Sequence, residues 1–361
     1  MLENHFIALD GLWFVWYIIY ICWIQEEIVL KNKSVTLSDI AKELGVSANA
    51  VSLALRGKDG VSDALRERIV KKAREMNYVG MNQLQGCILA LIPQRIEPAH
   101  GSGFYTQLCF QMEAYAASLG YQLIISSVQP ADEEALRVPP LLNTIPCAGI
   151  ITVGNMTREY CKMIQRLGLP YVMADQYYDD VPASSVVTAN TSGSYLLTSH
   201  LIEKGHTKIQ FFGMAFRTSS LEDRWIGYKR AMLQHGLQPL DNQLLRPAGP
   251  MSNEGVLLPQ ALDALPELPT AFVCGHDATA RTVIEILHGR GLRCPDDVSV
   301  VGFDDIQSPD LLALQLTTYN TPKKAIAETA VDLVLESDAR CPQRIQLYGD
   351  VVYRGSVKDI R

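Results

Sequence analysis

The chain lacks most of what a metalloprotein, a secreted disulfide scaffold or an enzyme needs. Its eight cysteines in 361 residues form no CxxC and no Cys–His pairing at metal spacing, which argues against a structural metal and a disulfide framework and fits a reducing compartment. No GxxxxGK phosphate loop, nucleophile elbow, metal triad or convincing Ser/His/Asp set occurs, so catalytic residues, metal ligands and cofactors are all expected to be none. Cys87, Cys147 and Cys274 sit in or beside apolar runs, where a reduced thiol serves as a small hydrophobe.

Positive charge is scarce as well, and its distribution is informative. The net charge is −7, yet residues 1–30 carry −4, residues 31–85 carry +4 and the remainder −7. One short basic segment on an acidic body is the asymmetry expected of a phosphate-contacting module joined to a ligand-binding one. No lysine or arginine precedes Lys31, so the apolar run Leu12 to Ile24 (LWFVWYIIYICWI) has no signal-peptide n-region. Thirteen helical residues reach about 20 Å, short of a bilayer core near 30 Å, and lengthening the run back to Phe6 brings in Asp10. A start site placed too far upstream is the favoured reading of residues 1–33. Membrane contact through residues 6–24 and a partner-binding or core-packing extension stay open beside it.

The basic segment is organised around VTLSDIAKELGVSANAVSLALR, Val35 to Arg56. Thr36 and Asp39 have capping-box spacing, and Leu37, Ile40, Ala41 and Leu44 form one helical face. Gly45 suits the left-handed stop, and Ser47 can cap a second helix whose Val51, Ala54 and Leu55 face inward. Ala48, Asn49 and Ser52 face outward, the lean surface a major groove admits. Val61-Ser62 opens a third helix with Leu65, Ile69 and Ala73 as its stripe and Arg66, Arg68, Lys71, Lys72 and Arg74 beside it. Beyond Gly86, the runs ILALI, YQLIIS, GIITV, YVMA, KIQFF, AFVC and VSVVGF alternate with helical segments. Five of those segments close on glycine, the rhythm of a parallel α/β sheet. About ten strands divide more naturally between two lobes than within one sheet.

VTLSDIAKELGVSANAVSLAL followed by VSDALRERIVKKAREMNY resembles the head of the lactose-repressor/galactose-repressor family of bacterial transcription regulators. KGHTKI, CGHD, PDDVSVVGFDD and LTTYNTP are similar to that family's effector-binding core, so the resemblance covers about Ser34 to Val357. It implies a small all-α helix-turn-helix head and an α/β core of two parallel-sheet, periplasmic-binding-protein-like lobes. The expected divisions are an extension at 1–33, a DNA-binding head at 34–78, a short linker at 79–86 and a core at 87–361. Three crossings, near Val186, Thr318 and Ser337, would give a first lobe of 87–186 and 319–337 and a second of 187–318 and 338–361. The resemblance implies a homodimeric, cytoplasmic, nucleoid-associated repressor of double-stranded operator DNA. Its effector would be a small polar molecule, a sugar or a derivative, held between the lobes. An exported or membrane-tethered sugar-binding protein, or a regulator relative with weakened DNA binding, is the alternative.

On the DNA side, Asn49 suits an adenine edge and Ala48 a thymine methyl, while Ser47 and Ser52 suit phosphates. Thr36, Ala50, Leu53 and Arg56 complete the contact set. Leu53 stands where relatives often carry arginine and Ala50 where they carry threonine. Losing that arginine removes a bidentate guanine contact worth roughly 1–3 kcal/mol of discrimination. The linker Val79 to Gly86 is short, has Gly80 where proline is common, and offers Leu84 as its one minor-groove wedge, with an unstructured tether as the alternative. In the cleft, Arg224 matches the arginine that reaches the effector in relatives, with a surface ion pair to Glu222 or Asp223 as its alternative. Asp304 is expected to accept ligand hydroxyls, and Asp305 to cap a helix. His276 replaces a common asparagine and is expected to hydrogen-bond the effector, with simple space-filling as its alternative, and Asp277 is expected to cap the next helix. Phe104 and Tyr105 are expected to line the pocket, with a core role for one of them equally open. Asp175 and Ser220 complete the effector set by position, and His206 is expected to be structural.

Overall fold

The computed structural model describes residues 35–55, 60–76, 78, 86–94, 103–240, 254–336 and 341–361. The apolar extension, Arg56 and linker residues 79–85, Leu84 among them, lie outside the described residues. The chain divides into two units, Met1–Gln83 and Leu84–Arg361. Among the described residues no helix is long and apolar enough to cross a membrane.

In the first unit, α1 (Leu37–Leu44), α2 (Ala48–Leu55) and α3 (Asp63–Glu75) form three short helices. The capping box at Thr36 is complete: its hydroxyl accepts the Asp39 N–H, and its own N–H donates to the Asp39 carboxylate at 2.8 Å. Gly45 ends α1 at φ 67°, and the Ser47 hydroxyl accepts the Ala50 N–H at 3.1 Å to start α2. Ile40, Ala41, Val51, Ala54, Ile69 and Ala73 are buried together, which fixes the outer face of α2 by elimination. Arg66 of α3 donates to the Ala54 carbonyl at 3.1 Å, a cation at the C-terminal end of α2.

The second unit holds β1 (Gly86–Pro93), α4 (Gly103–Ser118), β2 (Tyr121–Val128), α5 (Pro130–Glu134), β3 (Cys147–Val153), α6 (Arg158–Gln165), β4 (Tyr171–Ala174) and β5 (Ser184–Thr188) in its first part. There follow α7 (Asn190–Glu203), β6 (Ile209–Phe212), α8 (Ser219–Gln234), α9 (Glu254–Asp263), β7 (Ala271–Cys274), α10 (Asp277–Gly289), β8 (Ser299–Val301), α11 (Pro309–Ala313) and β9 (Thr318–Asn320). The chain ends with α12 (Lys323–Leu335), β10 (Arg344–Leu347) and β11 (Asp350–Val352). The first lobe is a parallel sheet in the order β10-β5-β4-β3-β1-β2, and the second a parallel sheet in the order β6-β7-β8. Both sheets are covered on two faces. Ile88 and Ala90 feed one core cluster and Leu89 and Leu91 another, while Phe272 and Cys274 part from Ala271 and Val273 in the same way. Buried faces on both sides explain the unbroken apolar runs. All five glycines expected to close helices are left-handed: Gly120, Gly168, Gly205, Gly236 and Gly291, with φ between 72° and 94°.

The crossings differ from expectation, most of all the third. The chain first passes between lobes at Ala189, and again at Thr321-Pro322, each just beyond Val186 and Thr318. Residues 344–347 were expected in the second lobe, but β10 pairs in parallel with β5 as an edge of the first sheet. Only after Gly349 does the chain enter β11, antiparallel to β9. The reason is that RIQL is an edge strand, alternately exposed and half-buried, with no apolar run to announce it. A Cβ on Gly349 would fall 1.8 Å from the Asn320 carbonyl oxygen, so two crossing strands meet at a residue that must be glycine.

Helices α7 and α8 pack just as closely, since a Cβ on Gly227 would lie 2.2 Å from the Thr191 carbonyl oxygen. Gly227→Ala is expected to cost about 1–3 kcal/mol, or more if backbone must move. Gly289→Ala, at a helix end with nothing within 4 Å, is expected to be neutral or to gain up to about 1 kcal/mol. Urea denaturation of the two variants measures both.

Candidate functional site

On α2, Ala48 and Asn49 are exposed, Ala50, Ser52, Leu53 and Leu55 half-buried, and Val51 and Ala54 buried. Ala48 and Asn49 are thus on the outside, while Ser52, also expected to face outward, is half-buried. A Cβ added to Gly60 would lie 3.5 Å from Leu53 Cδ1, so the half-buried Leu53 side chain runs past the Gly60 turn of the head. Thr36 is exposed, with its hydroxyl bonded to Asp39 at 2.7 Å.

In the second unit, five expected effector residues meet at the carboxyl ends of the strands. Arg224, on the second turn of α8, is 5% exposed. Its Nε donates to Asn190 Oδ1 at 2.8 Å, one terminal nitrogen to the Gly275 carbonyl at 2.7 Å, and the other to Asp304 Oδ1 at 3.0 Å. The guanidinium also lies over the Phe303 ring at 3.8 Å. Its partner is thus the buried Asp304, and a surface pair with Glu222 or Asp223 is overturned. Asp175, directly after β4, accepts the Tyr105 hydroxyl at 3.0 Å and the Ser220 hydroxyl at 3.4 Å. Asp175 and Asp304 have φ of 62° and 107°, strained values for residues other than glycine at two strand ends that face one another.

Three expectations about neighbours change. His276 is the N-cap of α10, its Nδ1 accepting the Thr279 N–H at 3.1 Å. Asp277, expected to be that cap, is buried instead and takes the Ile306 N–H at 2.8 Å and the Thr318 hydroxyl at 2.6 Å. Asp305 is no helix cap either, since it pairs with Arg354 at 2.7 Å. Of the aromatic pair, Phe104 takes the core role that was left open for one of them, edge-on to Tyr105 and beneath the Lys323 ammonium at 5.8 Å, while Tyr105 bonds to Asp175. His206 is structural as expected, bonded to Thr270 and the Lys358 carbonyl. The sequence reading missed Asn190 and Lys323, whose ammonium donates to the Asp304 carbonyl. Each directly follows a strand end or a crossing, the positional signal that would have found them.

Burial raises the Asp175 carboxyl to about 6, with Arg224 opposing and Asp304 reinforcing the shift. Burial likewise raises Asp277 to about 7, and it raises Asp223. The folded chain therefore binds protons more tightly than the unfolded chain at these sites, and their contribution falls as pH rises between about 4 and 7. Buried His206, whose pKa is lowered, works in the opposite sense, so the informative quantity is a difference between variants. Stability of the wild type minus that of Asp175→Asn is expected to decline by up to about 3 kcal/mol from pH 4 to pH 7.5. Urea titrations at four pH values check it.

Residues 36–80 match the family model for bacterial regulatory proteins of the lacI family, and residues 198–357 match the periplasmic binding protein-like domain. The HTH-type transcriptional repressor PurR of Vibrio parahaemolyticus serotype O3:K6 is 26% identical over 332 residues, covering 90% of this chain and 99% of the relative. PurR of Glaesserella parasuis serovar 5 is 25% identical over 349 residues, with coverage of 90% and 99%. Among solved structures, a lac repressor dimer bound to operator and an anti-inducer aligns with a TM-score of 0.67 at 22% identity, covering 90% of this chain and all of that one. The transcriptional regulator CelR in complex with cellobiose aligns at 0.64 and 23%, with coverage of 89% and 99%. These two structures support the fold, while the head and core matches, in family order on one chain, carry the assignment. With a helix-turn-helix head followed by a two-lobed α/β core, the chain belongs to the lactose-repressor family of bacterial transcription regulators.

Proposed function

We propose that the chain is a cytoplasmic, homodimeric repressor whose grip on operator DNA is set by a small polar effector, a sugar or sugar derivative, bound between the lobes. The observation that carries the effector reading is the convergence of Arg224, Asp304, Asp175, Ser220 and Tyr105 from both lobes on one buried polar cluster. Within it Asp304 Oδ1 accepts from both Arg224 and Thr321, which leaves Oδ2 for a ligand hydroxyl. The Asn190 amide nitrogen is buried beside Arg224 with no partner among the described residues, a donor suited to a hydroxyl oxygen. Donors and acceptors arranged around a cation already paired with Asp304 favour a neutral polyol over an anion. A solved complex of similar fold holds cellobiose, which agrees with that class. His276 borders the same region and is the weakest member of the effector set, because its ring caps α10.

For DNA, Asn49 and Ala48 are the base-reading residues, with Ser47, Ser52 and Thr36 toward phosphates and Ala50 and Leu53 at the edge of the face. The exposure of Ala48 and Asn49 on a helix whose other side is core supports that reading. Arg56 and Leu84 keep their proposed phosphate and minor-groove roles on sequence grounds alone. A mobility-shift assay on the promoter region of the chain's own gene, with and without a panel including glucose and cellobiose, tests the whole scheme. Binding is expected at low salt and is expected to weaken steeply as salt rises. Asn49→Ala should lose about 1–3 kcal/mol on the specific site and little on random duplex. Arg224→Ala should remove the sugar response while low-salt DNA binding persists. Absence of any shift at low salt would sink the DNA-binding claim.

A further inference from the structure

The residues just after β4 reach out of the first lobe to the start of α8 in the second. Ser220 Oγ donates to the Asp175 carbonyl at 3.1 Å, the Tyr177 N–H to Ser219 Oγ at 3.1 Å, and the Tyr177 hydroxyl to Asp223 Oδ1 at 2.9 Å. The first-lobe end of this bridge is held firmly. The guanidinium of Arg344, on β10, stacks over the Tyr177 ring at 3.7 Å and pairs with Asp179 at 2.8 Å. Gln176 exchanges two hydrogen bonds with the Met156 backbone, at 2.9 and 2.6 Å. The second-lobe end is Asp223, 9% exposed and so largely withdrawn from competing water. Every one of these bonds joins protein to protein, so none requires a ligand.

A second and different contact closes the other rim of the cleft. Ile306 and Leu311 of the second lobe are buried within the first-lobe core beside Phe104. The lobes therefore meet at an apolar rim around Ile306 and a polar rim around Tyr177, with the Arg224–Asp304 cluster between them.

We propose that Tyr177 is a positioning residue for effector binding: with Ser219 and Asp223 it forms a ligand-independent latch that holds the lobes closed. The proposal rests on the reading of the cleft as the effector site. A latch that favours the arrangement in which Asp175, Arg224 and Asp304 already meet raises effector affinity, because less of the binding energy goes into closure. By the same arithmetic it narrows the difference between effector-free and effector-bound states. Weakening the latch should therefore lower affinity and widen the response.

The test needs no ligand. Hydrogen–deuterium exchange is measured on the full chain as wild type, Tyr177→Phe, Asp223→Ala, the double variant and Asp223→Asn. Tyr177→Phe keeps the ring under Arg344 and removes only the hydroxyl. The readout is residues 308–312, at the opposite rim, which a purely local role for Tyr177 would not move. About fivefold or faster exchange there is expected in Tyr177→Phe and in Asp223→Ala. The double variant should add little beyond either single change, as coupled partners do. Asp223→Asn keeps an acceptor oxygen and should stay within about twofold of wild type. Exchange in β6, whose residues belong to neither the cluster of Ile306 nor that of Tyr177, should be unchanged in all. Unaltered exchange at 308–312 in both single variants overturns the latch, and so does a parallel rise in β6, which would signal general destabilisation. Failure of the DNA or sugar assays would leave this result standing, so the two readings fail separately.

Discussion

A guanidinium that has left water must be satisfied from every side, and the second unit is arranged around that demand. Arg224 draws an amide oxygen from Asn190, a backbone carbonyl from Gly275, a carboxylate from Asp304 and an aromatic face from Phe303. These groups come from the first crossing, the end of β7 and the segment after β8. Unpaired, a charge so placed would cost several kcal/mol. The carbonyl of Gly275 and the unusual φ of Asp304 follow from the need to aim acceptors at one point. The same demand explains why the cleft is polar at its centre and apolar at the Ile306 rim.

The head obeys a simpler constraint. It has few residues with which to build a core, so Ile40, Ala41, Val51, Ala54, Ile69 and Ala73 of its three helices are all committed inward. That commitment, more than any special sequence, leaves Ala48 and Asn49 outside. Arg66 then ties α3 to the end of α2, a connection that uses one basic residue internally instead of offering it to phosphate.

What could be read from the sequence was what local chemistry decides. The Thr36–Asp39 box, the Ser47 cap and five left-handed glycines each depend on a few adjacent residues, and all were legible. The seven apolar runs were legible because both faces of each sheet are covered. Arg224, Asp304 and Tyr105 come from motif resemblance and Asp175 and Ser220 from position alone, since nothing in spacing brings residues 105, 175 and 304 together. The failures are non-local. Strand β10 is recognisable only from its pairing with β5, and Tyr177 only from α8 lying opposite. His276 and Asp277 can each cap a helix. Which one does was decided by Thr318 and Ile306, distant residues that claim the Asp277 carboxylate.

The polypeptide passes between its two halves three times, and the last two passages run side by side. The β9–β11 pairing and the contact of Gly349 with Asn320 weld those passages into one ribbon, with the Tyr319 hydroxyl accepting the Gly349 N–H at 2.7 Å as an added rivet. A ribbon fixed this way bends far more readily than it shears. Relative motion of the halves is thus reduced to something like a door on its pin, and a sub-ångström adjustment beside the pin becomes a swing that grows in proportion to distance from it.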